Sequence, residues 1–537
     1  MSSRVGNTSG MALGTSFSRL TGIVRDIALI AAIGTSVFSD TYSVANSIPN
    51  IIYILIAGGA INAVFIPALV RHMQDDSDGG KEFTDRLLTL IGLVLVAIVL
   101  LSLIFASQII RIYSTSSWAA ADHHVATVFA LWCLPQIFFY GIYTVVTQVL
   151  NSRDVFVVPM FAPIVNNLVV IATAMAFMSA THAQPTTTSI TSSQITLLGA
   201  GTTLGVVLQA AILIPTMWRS GYAFSPRFDF KNSGLGQVRN LASWTIGFVL
   251  INQISFLIIS NLTTYANVVA ANTGQVANGF TSYQKAQLMM MLPHSIITVS
   301  LITSLLPRLS RQSHDGDLNS FGAEMLTSVR LVIALIVPCA LFLFITGPRL
   351  GVILYGHGAS TQVQGQAVGL VASMFALGLP AFSIFYVLLR SYYAQENTRT
   401  PFFINFGFNL LHIGIGVTAF HFVGQDLKIA VLALAYSVAY TITACVTWLR
   451  VSARFGALSS FEVVRHLVRV FLAASLAAIV STVAHLGFKH LLGDLSFSMT
   501  VVDVAACGVI FFACYIALAS TMNVSEVAEL RRFVRRA

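Results

Sequence analysis

The chain has 537 residues, 56% of them hydrophobic and only 9% charged, with a mean hydropathy of +0.81. Soluble domains carry roughly 25% charge, so this composition excludes a soluble globular protein and indicates an all-α polytopic membrane protein. The net charge of +9 follows from how basic residues are sorted across a membrane, and it does not argue for a nucleic-acid partner.

The amino terminus, "MSSRVGNTSG", is short and polar, and the apolar run behind it continues through Arg25 without a small-residue cleavage site. A retained first helix with no separate targeting peptide is therefore expected. Apolar windows between charged or Gly/Pro/Ser/Thr-rich breaks predict about fourteen transmembrane helices, each near the roughly 20 residues that span a bilayer. Their cores are expected at 11–33, 44–70, 87–110, 124–149, 156–179, 195–217, 241–263, 281–306, 331–347, 364–389, 401–423, 429–449, 470–488 and 504–522. The stretch 264–280, "TYANVVAANTGQVANGF", is polar and Gly/Asn-rich, which suits an outer loop.

Within the first helix, "SRLTGIVRDIAL" places Arg19, Gly22 and Asp26 on one face, with Arg25 on the adjacent stripe. An isolated cation at the centre of a bilayer helix costs at least about 2.5 to 3.5 kcal/mol, so such residues face a bundle interior or a wet cavity. Three readings are open: an anion site, an Arg/Asp pair satisfying itself between helices, or Arg19 snorkelling to the inner headgroups. Asp40, in the outer turn that follows, reads as a helix-start cap or a gate contact. The second helix carries Pro49, Asn50, Gly58, Gly59 and Asn62, a pattern that permits close packing and bending.

Lys285 lies near the outer end of the eighth helix, where it either snorkels outward or contacts substrate. The Met289–Met291 run reads as adaptable packing and His294 as a hydrogen-bonded structural histidine. Five cysteines, Cys133, Cys339, Cys445, Cys507 and Cys514, are scattered singly through apolar segments and read as small buried residues, with no metal or disulfide spacing.

Basic residues test this layout, because cytoplasmic segments are enriched in Lys and Arg. With the amino terminus inside, twenty-two of the 29 Lys and Arg fall on inner segments or inner helix ends. Arg111, Arg349, Lys428 and Lys489 fall outside, and only Arg19, Arg25 and Lys285 lie within predicted helices. Both termini are expected to face the cytoplasm.

An internal repeat is also visible. "FIPALVRH" at 65–72 is echoed by "LLPRLSRQ" at 305–312, and Asn151-Ser152-Arg153 by Asn397-Thr398-Arg399; each of the latter precedes a proline and an apolar helix containing asparagine (Asn166 and Asn167; Asn405 and Asn409). The near-constant offset spans an even number of helices, so it predicts two parallel, pseudosymmetric six-helix lobes, an architecture of transporters. The expected domains are a lobe over 1–235, a lobe over 236–460, and two additional helices with a basic tail over 461–537.

No GxSxG, Walker A, HExxH or paired-carboxylate motif occurs, so no enzyme is indicated and no cofactor or metal is expected. Energy would then come from the membrane potential, a monovalent-cation gradient or the substrate's own gradient.

Together, "FSRLTGIVRDIAL", "SDTYSVANSIPNIIY", "FIPALVR", "LLPRLSR" and "YYAQENTRTPFFIN" resemble the MurJ/MviN family, the lipid II flippases of the multidrug/oligosaccharidyl-lipid/polysaccharide exporter superfamily. The resemblance implies a bacterial cytoplasmic-membrane transporter that moves the lipid-linked peptidoglycan precursor from the inner to the outer leaflet by alternating access. Cell-wall synthesis proteins and membrane lipids are further candidate partners. It also implies functional roles for Ser18, Arg19, Arg25 and Asp26, an outer-gate role for Asp40, and a Pro-Asn element at Pro49 and Asn50. The chain departs from the family at Tyr53, Ile54, Gly58 and Leu288, where some members carry cavity arginines or a glutamate, and at Asn397, where an aspartate is usual. Lys285, one turn before Leu288, could substitute for the missing arginine. Two other readings suit the same residues: an exporter of another lipid-linked oligosaccharide or amphiphile, and a non-transporting scaffold for cell-wall enzymes. A wet, charged cavity favours transport, whereas an interior collapsed around Arg25 and Asp26 favours the scaffold.

Overall fold

A computed structural model describes residues 2–56, 78, 80–153, 155–181, 184–229, 239–455, 458–493, 496–524 and 526. Gly58, Gly59 and the first member of the "FIPALVRH" echo lie outside these residues. Among the described residues every regular element is helical, with no strand. Twelve helices among the described residues are long and apolar enough to cross a membrane. Helices α1 (Ser2–Ile33) and α2 (Val37–Ile56), which are not among these twelve, overlap the windows expected for the first two spans.

Packing divides the chain into two compact units, Met1–Asn272 with Gly358–Ser360, and Thr273–His357 with Thr361–Ala537. The first contains α1, α2, α3 (Lys81–Ile104), α4 (Ala106–Tyr113), α5 (Ala120–Cys133), α6 (Gln136–Asn151), α7 (Val157–Ala180), α8 (Ser192–Ala211), α9 (Leu213–Arg219) and α10 (Arg239–Thr273). Several single predicted spans are pairs of helices in line. Pro135, which lacks an amide hydrogen, marks the break between α5 and α6, and the two together form one span of 32 residues.

The loop expected over 264–280 is shorter in the structure: α10 continues as helix to Thr273, and 274–279 lies outside helix. Several polar side chains of the helical part are buried and bonded. Thr263, Thr264 and Asn267 are fully buried, and Thr264 Oγ1 accepts from the Thr115 amide at 3.0 Å. Ser260 and Asn261 donate to the carbonyls of Tyr113 and Ile112. Polarity here marks helix packing within the first unit.

The segment after α9 is strapped to the start of α3. Asp85, 1% exposed, accepts from Tyr222 Oη at 2.7 Å, the Ser225 amide at 3.2 Å and Lys81 Nζ at 2.9 Å. Arg227 pairs with Glu82 at 2.7 Å, and Arg86 pairs with Asp229. Burial, then Asp85, push the Tyr222 hydroxyl up, so it stays protonated as a donor at neutral pH.

The second unit contains α11 (Phe280–Pro293), a π-turn (His294–Thr298), α12 (Val299–His314), α13 (Leu318–Tyr355), α14 (Gln362–Tyr393), α15 (Arg399–Phe422), α16 (Lys428–Arg454), α17 (Ser460–Leu492) and α18 (Phe497–Thr521). Helix α14 is its centre: Val368, Val371, Ala372, Phe375, Ala376 and Leu379 are all fully buried. It crosses α13 at glycine. A Cβ on Gly369 would collide with the Gly347 carbonyl, so only glycine allows this approach. Thr361 opens α14 with a capping box, receiving the Gln364 amide at 3.2 Å.

The last two helices are pinned to α13 at both ends. Toward the C-terminal end of α13 Arg349 meets Asp503 at 2.7 Å, and His485 meets the same carboxylate at 2.9 Å. Nearer its N-terminal end Arg330 meets Glu526 at 2.9 Å, and Tyr515 donates to the Ala334 carbonyl at 2.6 Å. Arg349, expected outside its helix, therefore lies within it, paired to a buried carboxylate. Cys445 is exposed and Cys339 and Cys514 are half-buried, so only Cys133 and Cys507 match the expected buried cysteines. Exposed apolar side chains such as Leu100, Leu101 and Ile104 are the surface that acyl chains cover.

Candidate functional site

The first helix carries its charges into a polar cluster built with α7. Arg25 Nη1 donates to Asn167 Oδ1 at 3.1 Å, and Arg25 Nη2 donates to Asp26 Oδ1 at 3.2 Å. The Asn167 amide nitrogen in turn donates to the Ser18 carbonyl at 3.0 Å and to Thr21 Oγ1 at 2.9 Å. Asn167 thus grips α1 across two turns while accepting from its guanidinium. Close approach makes this possible: a Cβ at Gly22 would lie 3.7 Å from Asn167 Nδ2.

Asp26 is buried and supplies the countercharge, but the Arg25 side chain keeps 30% of its surface exposed. The guanidinium carries five donors, of which two are committed here, so the fork can take an external anion. Tyr140 and Tyr42 lie within electrostatic reach of it. A polar ladder continues from Tyr140, whose hydroxyl donates to Gln136 Oε1 at 3.3 Å; Gln136 donates to Thr203 at 2.9 Å and Asn46 at 3.3 Å. The Tyr53 ring lies tilted 5.9 Å from that of Tyr140, and its hydroxyl bonds Thr144.

The other expected site residues are dispersed. Ser18 joins the cluster through its carbonyl. Arg19 is half-buried and pairs with no carboxylate among the described residues, and Asn50 is exposed. Pro49 is buried within α2. Asp40 sits in the first turn of α2, where the helix dipole favours an anion. It is fully buried and accepts from Asn267 Nδ2 at 2.8 Å; the same nitrogen donates to the Thr35 carbonyl at 3.1 Å. Lys285 belongs to the second unit, half-buried on α11. His294 is buried there, with Nδ1 2.9 Å from Ser383 Oγ and its ring 4.4 Å from that of Phe382.

Two site residues were not singled out by the sequence, Asn167 and Asn267. Asn167 left a signal as an asparagine in an apolar helix, but its spacing is unrelated to Arg25. Among the described residues no group of three or more His, Cys, Asp or Glu could hold a metal ion.

A membrane bundle with a half-exposed arginine held by a neutral amide and a buried aspartate suits anion transport, and comparison with known proteins decides the family. The profile described as "Lipid II flippase MurJ" matches residues 29–503. The chain belongs to the MurJ family. A relative from Thermotoga maritima, named probable lipid II flippase MurJ, is 25% identical over 99% of both chains, and so includes the α1 cluster that precedes residue 29. The lipid II flippase MurJ of Burkholderia cenocepacia is 26% identical over 73% of this chain and 74% of its own. The fold matches a solved structure titled lipid II flippase MurJ, inward closed conformation, with a TM-score of 0.72, 20% identity, and coverage of 95% and 98%. An inward-facing multidrug resistance MATE family transporter matches with a TM-score of 0.63 at 14% identity, over 82% of this chain and 95% of its own. As a MurJ family member with twelve described spans, the chain is a multi-pass protein of the bacterial cytoplasmic membrane.

Proposed function

We propose that this MurJ family member is a lipid II flippase that carries the lipid-linked peptidoglycan precursor from the inner to the outer leaflet by alternating access. The observation that carries the reading is the Arg25 fork, half-exposed in the membrane and oriented by Asn167 and Asp26. Arginine suits a diphosphate because its planar guanidinium stays charged and donates two bonds at once. Arg25 is the main contact, with Arg19, Lys285, Ser18 and Asn50 as auxiliary contacts. Asp26, Asp40, Pro49, Gly58 and Gly59 serve gating and packing.

The protein transports without covalent chemistry and without a cofactor, with the membrane potential or a monovalent-cation gradient as the driving force. Both termini face the cytoplasm, as the distribution of basic residues supports. Cell-wall synthesis proteins are its candidate neighbours in the membrane.

The test is growth of a bacterium depleted of its own flippase and supplied with this chain. Wild type restores growth, and Arg25→Ala does not at matched expression. Failure of well-inserted wild type overturns the lipid II assignment; full growth with Arg25→Ala overturns the role of that arginine.

A further inference from the structure

Arg390 lies in the last turn of α14, half-buried, with its guanidinium carbon 4.6 Å from the centre of the Tyr386 ring and 5.5 Å from that of Tyr393. The spacings of four and three residues put all three side chains on one helix face. Two flanking rings restrict the rotamers of the guanidinium, so its donors project in a set direction.

Among the described residues the guanidinium meets no carboxylate. Arg25, Arg330 and Arg349 each meet a carboxylate, whereas Arg390 pairs with none among the described residues. Its Nε is buried with no hydrogen-bond acceptor among the described residues. A buried charged donor left unmatched is costly, and such groups in a native fold call for an acceptor from elsewhere.

The repeat adds a second line of argument. Tyr386 and Tyr140 stand 246 residues apart, the offset that also relates Asn397 to Asn151 and Arg399 to Arg153. In the first unit Tyr140 lies within electrostatic reach of Arg25. In the second unit the corresponding tyrosine carries a cation on its face from its own helix. Each unit therefore sets an arginine beside the same repeat position, supplied by different elements.

We propose that Arg390 is a phosphate-binding residue of the second unit, and that it takes the diphosphate of the lipid-linked substrate. This rests on the flippase reading for the identity of that substrate. It also places a cation in the second unit of a chain that has Tyr53, Ile54 and Leu288 where the resemblance led us to expect charged residues. Bulk anionic lipids offer the same phosphate chemistry, so the experiment separates the two sources.

The full chain in lipid nanodiscs is titrated with lipid II, with undecaprenyl diphosphate and with phosphatidylglycerol, for wild type, Arg390→Gln and Arg390→Lys. Loss of a charge-assisted pair predicts that Arg390→Gln weakens binding of lipid II and of undecaprenyl diphosphate about tenfold or more and leaves phosphatidylglycerol unchanged. Arg390→Lys, which keeps the charge without the fork, falls between. Unchanged diphosphate binding by Arg390→Gln, or equal weakening for all three lipids, overturns the proposal. If wild type binds undecaprenyl diphosphate but not lipid II, and Arg390→Gln loses that binding, the site stands and the lipid II reading fails.

Discussion

Asn167 accepts the Arg25 guanidinium at 3.1 Å while its own amide donates to the Ser18 carbonyl and to Thr21. An uncharged residue thus fixes the direction of the cation without cancelling its charge, which among the described residues Asp26 offsets. Asn167→Ala removes that acceptor. A hydrogen bond to a charged group is worth about 1.5–3 kcal/mol, so lipid II transport should fall about ten- to a hundredfold. Asn167→Asp restores an acceptor but adds a second negative charge beside the fork, and it should transport no better than Asn167→Ala. Transport at matched expression in a flippase-depleted strain checks both.

The clasp between Arg349 and Asp503 predicts strong coupling. Asp503 is 1% exposed and the Arg349 side chain 17%. Removing Asp503 leaves the Arg349 charge without its carboxylate, and removing Arg349 leaves Asp503 with the His485 contact alone, each costing up to about 3–5 kcal/mol, whereas replacing both with apolar residues costs less. Arg349→Met and Asp503→Leu should each lower thermal stability sharply, and the double variant should recover most of it. A double-mutant cycle on the purified protein measures this.

The strap on Asp85 should be structural and insensitive to mild acid. Asp85→Ala orphans the Tyr222 hydroxyl and the Ser225 amide, costing about 1–3 kcal/mol. Arg86 holds the Asp229 carboxyl below its usual range. A depressed carboxylate contributes above its unfolded value, and that contribution is lost only as pH falls through the lower folded value. Protease cleavage within 220–229 should therefore be flat from about pH 8 to pH 5 and rise only below about pH 4 in wild type. In Asp85→Ala it should be raised throughout.

Asn267 predicts a partner effect on the proposed outer gate. Asn267→Leu removes one donor to a fully buried Asp40 carboxylate. Weakening the support of a buried charge destabilises the first unit, and neutralising that charge relieves the loss. Stability of Asn267→Leu should fall below that of the Asp40→Asn, Asn267→Leu double variant in thermal unfolding.

Much of the architecture was legible because hydropathy reports burial in lipid directly. The limits of helices were less legible, since polar residues inside a membrane protein need only a partner, and partners come from distant segments. Thr264 and Asn267 read as loop residues until their bonds to Thr115 and Asp40 are known. Arg349 and Arg390 read as flanking charges because an apolar window stops at the first arginine, while the helices run on to Tyr355 and Tyr393. Arg25 and Asp26 stood out as costly charges, yet Asn167 did not, because a single asparagine in an apolar helix carries no direction.

Outer-leaflet lipid II tests the central claim most directly, measured as the fraction cleaved by an externally added hydrolase in cells depleted of their own flippase. Cells carrying this chain should expose lipid II at the outer leaflet, and cells carrying Arg25→Ala at equal membrane abundance should retain it inside. Equal exposure with both chains, or none with well-inserted wild type, would contradict the account.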